Sequence, residues 1–182
     1  MSSLRGRRRY LFGAFACFTF LVGGVLWLRQ PLLVATPTRP FQLATKQLPD
    51  LRDPAGPPHT FGGKLERPMV VNFFFSDCVG CVEELPRFEL AAKQWAGKID
   101  VVGVDHFEPR AEGLKLVEST GITFPVAWDE SGDLAPLAGV TAFPATLFID
   151  SHGTVVRRVL GQLSSERLNR EVEALFNTFH GN

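Results

Sequence analysis

The stretch NFFFSDCVGCVEELP, Asn72 to Pro86, decides how the chain is read. Three phenylalanines lead into two cysteines spaced C-x-x-C, followed by two glutamates and a proline. Upstream, PMVV extends the apolar run back to Pro68. The segment from Pro68 to Phe75 is hydrophobic on both faces apart from Asn72, as expected of a central strand covered on each side. Downstream, Cys81, Leu85, Phe88, Ala92 and Trp95 recur at intervals of four and three, one stripe of an amphipathic helix. The cysteines therefore stand where a buried strand turns into a helix.

That position has a chemical consequence. At a helix N-terminus, unpaired N–H groups and the positive end of the macrodipole stabilise an anion, so Cys78 is expected to form a thiolate more readily than a free cysteine. Cys81 lies one turn on, near enough for a disulfide but deeper in the helix, which suits it to resolving a mixed disulfide. Two other readings stand beside this one. A structural zinc site needs four ligands, and the only other cysteine is Cys17, while His59, His106, His152 and His180 are scattered singly. An inert buried pair is the second, and an oxidising compartment disfavours it. The expectation is a redox-active Cys78–Cys81 disulfide with no metal and no cofactor.

Outward from the motif, Ile99 to Val104 reads as a second buried strand and Pro109 to Thr120 as a short helix stopped by Gly121. Phe124 to Trp128 reads as a brief strand. ATLFID and TVVRRVLG, joined by the polar turn Ser151 to Gly153, read as a hairpin. The C-terminal segment has a capping Ser164, Glu166 in its first turn and an apolar face of Leu168, Val172, Leu175, Phe176 and Phe179. Between Phe41 and Gly63, prolines and glycines break the chain into short strands and turns. Strands alternating with helices predict an α/β sheet with an antiparallel hairpin at one end.

The N-terminus is of another kind. Residues 1–9 hold Arg5, Arg7, Arg8 and Arg9, and residues 10–28 form an uncharged apolar run of 19 residues. As a helix this run is roughly 28 Å long, enough to cross a bilayer. It reads as an anchor with a cytoplasmic N-terminus, the alternative being a cleaved signal sequence. Residues 29–40, with three prolines, read as a linker, leaving residues 41–182 as the folded domain. Beyond residue 30 the chain holds 14 basic residues against all 19 acidic ones, a net of −5, which gives no reason to expect nucleic-acid binding.

VVNFFFSDCVGC with EELP, the strand VVGVD, and GVTAFPATLFIDSHGTVVRRVLG together resemble the TlpA/ResA-type branch of membrane-anchored thioredoxin-like thiol-disulfide oxidoreductases, over roughly Phe41 to Phe176. The resemblance implies a thioredoxin-like fold, a central mixed sheet flanked by helices, preceded by a transmembrane helix. It implies that Cys78 attacks and Cys81 resolves, that Pro86 is the proline within the first helix, that Pro144 is cis and sits beside the dithiol, and that Glu84 manages its protons. Glu83 is weighed as a solvated neighbour. It further implies protein thiol or disulfide clients, apocytochrome c among them, a membrane partner that recharges the dithiol, and a single-pass location in a bacterial cytoplasmic membrane with the catalytic domain outside.

The departures are specific. Asp77 replaces the usual tryptophan and should oppose thiolate formation at Cys78, favouring a reductant. Val79-Gly80 stands between the cysteines in place of a pair ending in proline, and Phe143 before Pro144 is bulkier than usual. These three are the expected client contacts. Asn72 holds the strand position of the buried aspartate of cytoplasmic thioredoxins, with Glu84 as its expected substitute. Alternatives are an oxidant of secreted proteins, a peroxiredoxin-like peroxidase, for which Phe75 stands in place of a needed threonine, and a Sco-like copper chaperone, for which the C-x-x-C spacing is one residue short.

Overall fold

The computed structural model describes residues 39–180. The expected basic tail 1–9, the membrane segment 10–28 with Cys17, and most of the linker lie outside the described residues. No helix among the described residues is long and apolar enough to cross a membrane.

The strands are β1 (Phe41–Gln42), β2 (Lys46–Leu48), β3 (His59–Phe61), β4 (Met69–Phe74), β5 (Asp100–His106), β6 (Val126–Asp129), β7 (Ala145–Ile149) and β8 (Thr154–Leu160). The helices are α1 (Val79–Gln94), α2 (Arg110–Thr120), α3 (Leu134–Leu137) and α4 (Ser165–His180). Six strands form one mixed sheet in the order β1-β8-β7-β4-β5-β6. β4, β5 and β6 run parallel, joined by α1 and α2 as crossover helices, while β7 and β8 form the expected antiparallel hairpin. β2 and β3 pair separately.

β4 occupies the centre and every residue in it is buried. Its side chains alternate between two cores, as the period of a strand requires. Val70 and Phe74 face one core with Cys81, Leu85 and Phe88 of α1, Leu116 and Val117 of α2, and Leu168, Val172 and Leu175 of α4. Met69, Val71 and Phe73 face the other with Leu48 and Phe61 of the small hairpin and Leu134 and Ala135 of α3. The long helices thus share one face, and the second face is closed mainly by the β2–β3 hairpin and the single turn α3. That turn lies between Trp128 and Ala145, where no element was read from the sequence. β1 is one of the short strands expected between Phe41 and Gly63, but its pairing with β8 across more than a hundred residues had no local signal.

On the helical face, β4 places Asn72 between Val70 and Phe74, and β5 places Asp105 two residues beyond Gly103. Both polar side chains are fully buried. They mark the part of the core that the site draws on.

Candidate thiol-disulfide active site

β4 ends at Phe74, and a turn through Ser76 and Asp77 delivers Cys78 to the N-cap of α1 with extended backbone, φ −88° and ψ 93°. Its carbonyl accepts from the N–H groups of Cys81 and Val82, and its Sγ also accepts from Cys81 N at 3.2 Å. One first-turn N–H of the helix, that of Cys81, therefore aims at this sulfur, and α1 has no acidic residue in its own first turn to compete. Cys78 and Cys81 are joined in a disulfide, their Cα atoms 5.2 Å apart. Cys78 is half-buried and Cys81 fully buried, so an incoming thiol reaches Cys78 first.

Glu84, which is not among the apolar residues of the helix stripe, is nonetheless completely buried. It lies one turn beyond Cys81 on the same face. Its Oε1 accepts from Asn72 Nδ2 at 2.7 Å, and its Oε2 accepts from Leu163 N at 3.0 Å. Burial pushes the carboxyl up to about 7, and the two hydrogen bonds and nearby Arg87 only partly offset that rise. The sequence pairing of Asn72 with Glu84 is thus a direct contact. Glu83, by contrast, is exposed and accepts from Gln162 Nε2 at 3.0 Å. The same nitrogen donates to Gly80 O at 2.8 Å, and a Cβ at Gly80 would come within 3.2 Å of it. Gly80 therefore admits a close crossing. Pro86 lies inside α1, on its exposed side.

The Phe143–Pro144 peptide bond is cis. Pro144 is buried at the start of β7, and the Phe143 ring meets Phe75 edge-on, with centroids 5.4 Å apart, and stacks on His106 at 4.8 Å. Val79, between the cysteines, is 72% exposed.

The sequence reading missed the stretch Asp105-His106-Phe107-Glu108. Glu108 accepts from Ser76 N at 3.0 and 3.1 Å and from Ser76 Oγ, and so fixes the turn that carries Cys78. Asp105 has no N–H or hydroxyl donor for either oxygen and faces the Glu108 carboxyl instead. Burial first, and then the adjacent Glu108, push Asp105 up to about 9, so its carboxyl is protonated at neutral pH. Phe107 adopts φ +53° and is 70% exposed. The topology offered a signal: loops that follow neighbouring parallel strands lie side by side, so residues after β5 meet those after β4. Among the described residues, no group of three or more His, Cys, Asp or Glu side chains is placed to hold a metal ion.

A model of one family matches residues 42–158, most of the domain that holds this site. The chain belongs to the AhpC/TSA family. Among curated relatives, thiol-disulfide oxidoreductase ResA of Geobacillus thermodenitrificans is 26% identical over 126 residues, covering 69% of this chain and 72% of its own. The structure of MTB DsbF is 28% identical with a TM-score of 0.62, covering 71% of this chain and 94% of its own. A Chlorobium tepidum chain described as thiol:disulfide interchange protein DsbE superposes with a TM-score of 0.68 at 20% identity, covering 78% of this chain and 99% of its own. Within the AhpC/TSA family this chain is therefore a thiol-disulfide oxidoreductase, similar to those named ResA.

Proposed function

We propose that the chain is an extracytoplasmic reductant, held at a bacterial cytoplasmic membrane by residues 10–28, that opens client disulfides such as those of apocytochrome c. The observation that carries the direction is the charge beside Cys78. Asp77, Glu108 and Glu112 line the adjoining groove, and no Lys or Arg does. Negative neighbours disfavour the thiolate of the reduced form and so favour the disulfide, which makes the reduced protein the better electron donor.

In the proposed cycle, the Cys78 thiolate attacks one sulfur of the client disulfide, forming a mixed disulfide and releasing one client thiolate. Cys81 then loses its proton to Glu84 and attacks Cys78 Sγ. The second client sulfur leaves as a thiolate and takes a proton from solvent, and the Cys78–Cys81 disulfide remains. Two electrons and two protons from a membrane partner reset it. An extended client would lie along the backbone before Pro144, with Phe143, Val79 and Gly80 as its contacts. The ResA name of the curated relatives supports the cysteine exchange. Peroxide chemistry draws no support from Phe75, whose ring packs on Phe143 and offers no hydroxyl.

The reduction potential tests the direction. Equilibration of the full chain with glutathione or dithiothreitol buffers is expected to place the couple nearer the roughly −270 mV of thioredoxin than the roughly −120 mV of DsbA. A value at the DsbA end would make the chain an oxidant.

A further inference from the structure

Beside the disulfide lies a groove that the exchange chemistry itself does not need. It is a cavity of about 610 Å³ between the turn at Ser76 and Asp77 and the loop from His106 to Pro109. Phe75, Phe107 and Phe143 wall it, with His106 stacked behind Phe143. Phe107 is unusual on two grounds. An aromatic residue in the left-handed region is strained, and this ring stands 70% exposed. Such a conformation persists only where the surroundings impose it. Here they do: Phe107 N donates to Asp129 O at 2.9 Å on one side, and on the other Glu108 is tied to Ser76 by its carboxylate and to Trp128 Nε1 by its carbonyl. The loop is held in a form that presents one aromatic face to solvent beside the reactive sulfur.

The charge on the groove has one sign. Asp77 is exposed and enters no salt bridge among the described residues, and Glu112 at the outer edge is countered only by Lys115, an exposed pair at 2.9 Å that screening leaves weak. Arg110, also on α2, is engaged by its bonds to the carbonyls of Leu51 and Arg52. An aromatic wall with a negative rim is the surroundings a flat or extended cation selects.

We propose that this groove is a specificity pocket for a lysine or arginine side chain lying next to the attacked cysteine of the client. It rests on the reductase reading above and names the client's chemistry: an extended peptide, paired beside Phe143, whose basic side chain lies against Phe107 and reaches Asp77 and Glu112. A cation–π contact and one or two screened ion pairs together amount to about a tenfold preference over a neutral side chain.

The test uses three synthetic ten-residue peptides, each closed by an internal disulfide and differing only beside the attacked cysteine, which carries Arg, Gln or Glu. The full chain is reduced, freed of reductant and mixed with each, and second-order rate constants are read by acid quench and chromatography. The expected order is Arg above Gln above Glu, with about a tenfold Arg-to-Gln ratio at low salt that shrinks in 0.5 M NaCl. In Phe107→Ser and in Glu112→Gln the ratio falls toward one, whereas in Glu118→Gln, an exposed acid of α2 outside the groove, it stays as in the parent. Equal rates for the three peptides overturn the proposal while leaving the reductase reading intact. So does an Arg preference that survives both groove variants. Failure to reduce any of the three sinks the reductase reading, and this proposal with it.

Discussion

Glu84 is the residue whose chemistry the surroundings define most narrowly. When it is ionised, both oxygens accept, from Asn72 Nδ2 and from Leu163 N. When it takes a proton from Cys81, one oxygen must donate. The Leu163 N–H cannot accept, so the proton belongs on Oε1, facing Asn72. The Asn72 Oδ1 has no partner in the disulfide form, and half a turn of the amide presents it as the acceptor. The pair thus has one arrangement for each protonation state. A carboxyl raised to about 7 is placed to act as base near neutral pH, and its rate contribution grows as pH rises through that value. In single-turnover reduction of a peptide disulfide, the resolving step of the parent should rise with an apparent midpoint near pH 7. In Glu84→Gln that midpoint should vanish, leaving only the ionisation of Cys81 itself, with the step about a hundredfold slower at neutral pH. Unchanged kinetics would reduce Glu84 to a packing residue.

At the scale of elements, what the sequence made legible was whatever local periodicity encodes. β4, α1, the β7–β8 hairpin and α4 follow from alternation, helical stripes and turn residues, and the redox pair follows from its place between β4 and α1. What depends on distant pairing was not legible. Nothing local in Phe41–Gln42 says that it joins β8, and nothing in DHFEP says that Glu108 holds Ser76, because that contact is set by the side-by-side position of β4 and β5. The burial of Glu84 was not legible because a single stripe underestimates the buried face of a helix that packs on a sheet, on α2 and on α4 at once. The packing of α2 on β5 gives a test of this element-level coupling. Gly113 is buried in α2, and a Cβ there would overlap the Asp105 carboxyl. Alanine in a helix normally gains up to about 1 kcal/mol over glycine, whereas overpacking costs about 1–3 kcal/mol. The second effect should win, since Asp105 is short, fully buried and bounded by Glu108. Urea unfolding of Gly113→Ala should show a loss of stability, and adding Asp105→Ala should recover most of it as a positive coupling in the double-mutant cycle. A Gly113→Ala chain at least as stable as the parent would show that α2 and β5 have slack between them.

For the whole molecule, buried acids set how stability depends on pH. Asp105 rises from an ordinary value near 3.8 to about 9 in the folded chain, so folding takes up a proton in between, and stability is lost as pH climbs through that window. Glu84, raised from 4.5 to about 7, acts in the same sense over a narrower range. Glu89 acts oppositely. Its partial burial works against it, but donors from Thr123 and Phe124 and the ammonium of Lys93 overcome that and hold it down at about 2. Its contribution is present above pH 4.5 and lost as pH falls toward 2. The three together place the optimum at mildly acid pH, not at neutrality. For the oxidised protein, the melting temperature should peak near pH 4–5 and fall toward pH 8 by about 3–5 °C per pH unit for each buried acid within its window. Asp105→Asn keeps a donor toward Glu108 while removing the titration. It should match the parent near pH 4, melt higher above pH 6, and leave only the shallower decline due to Glu84. Thermal unfolding followed by circular dichroism from pH 3 to 9 reads both profiles. If the two run parallel throughout, Asp105 is ionised in the fold.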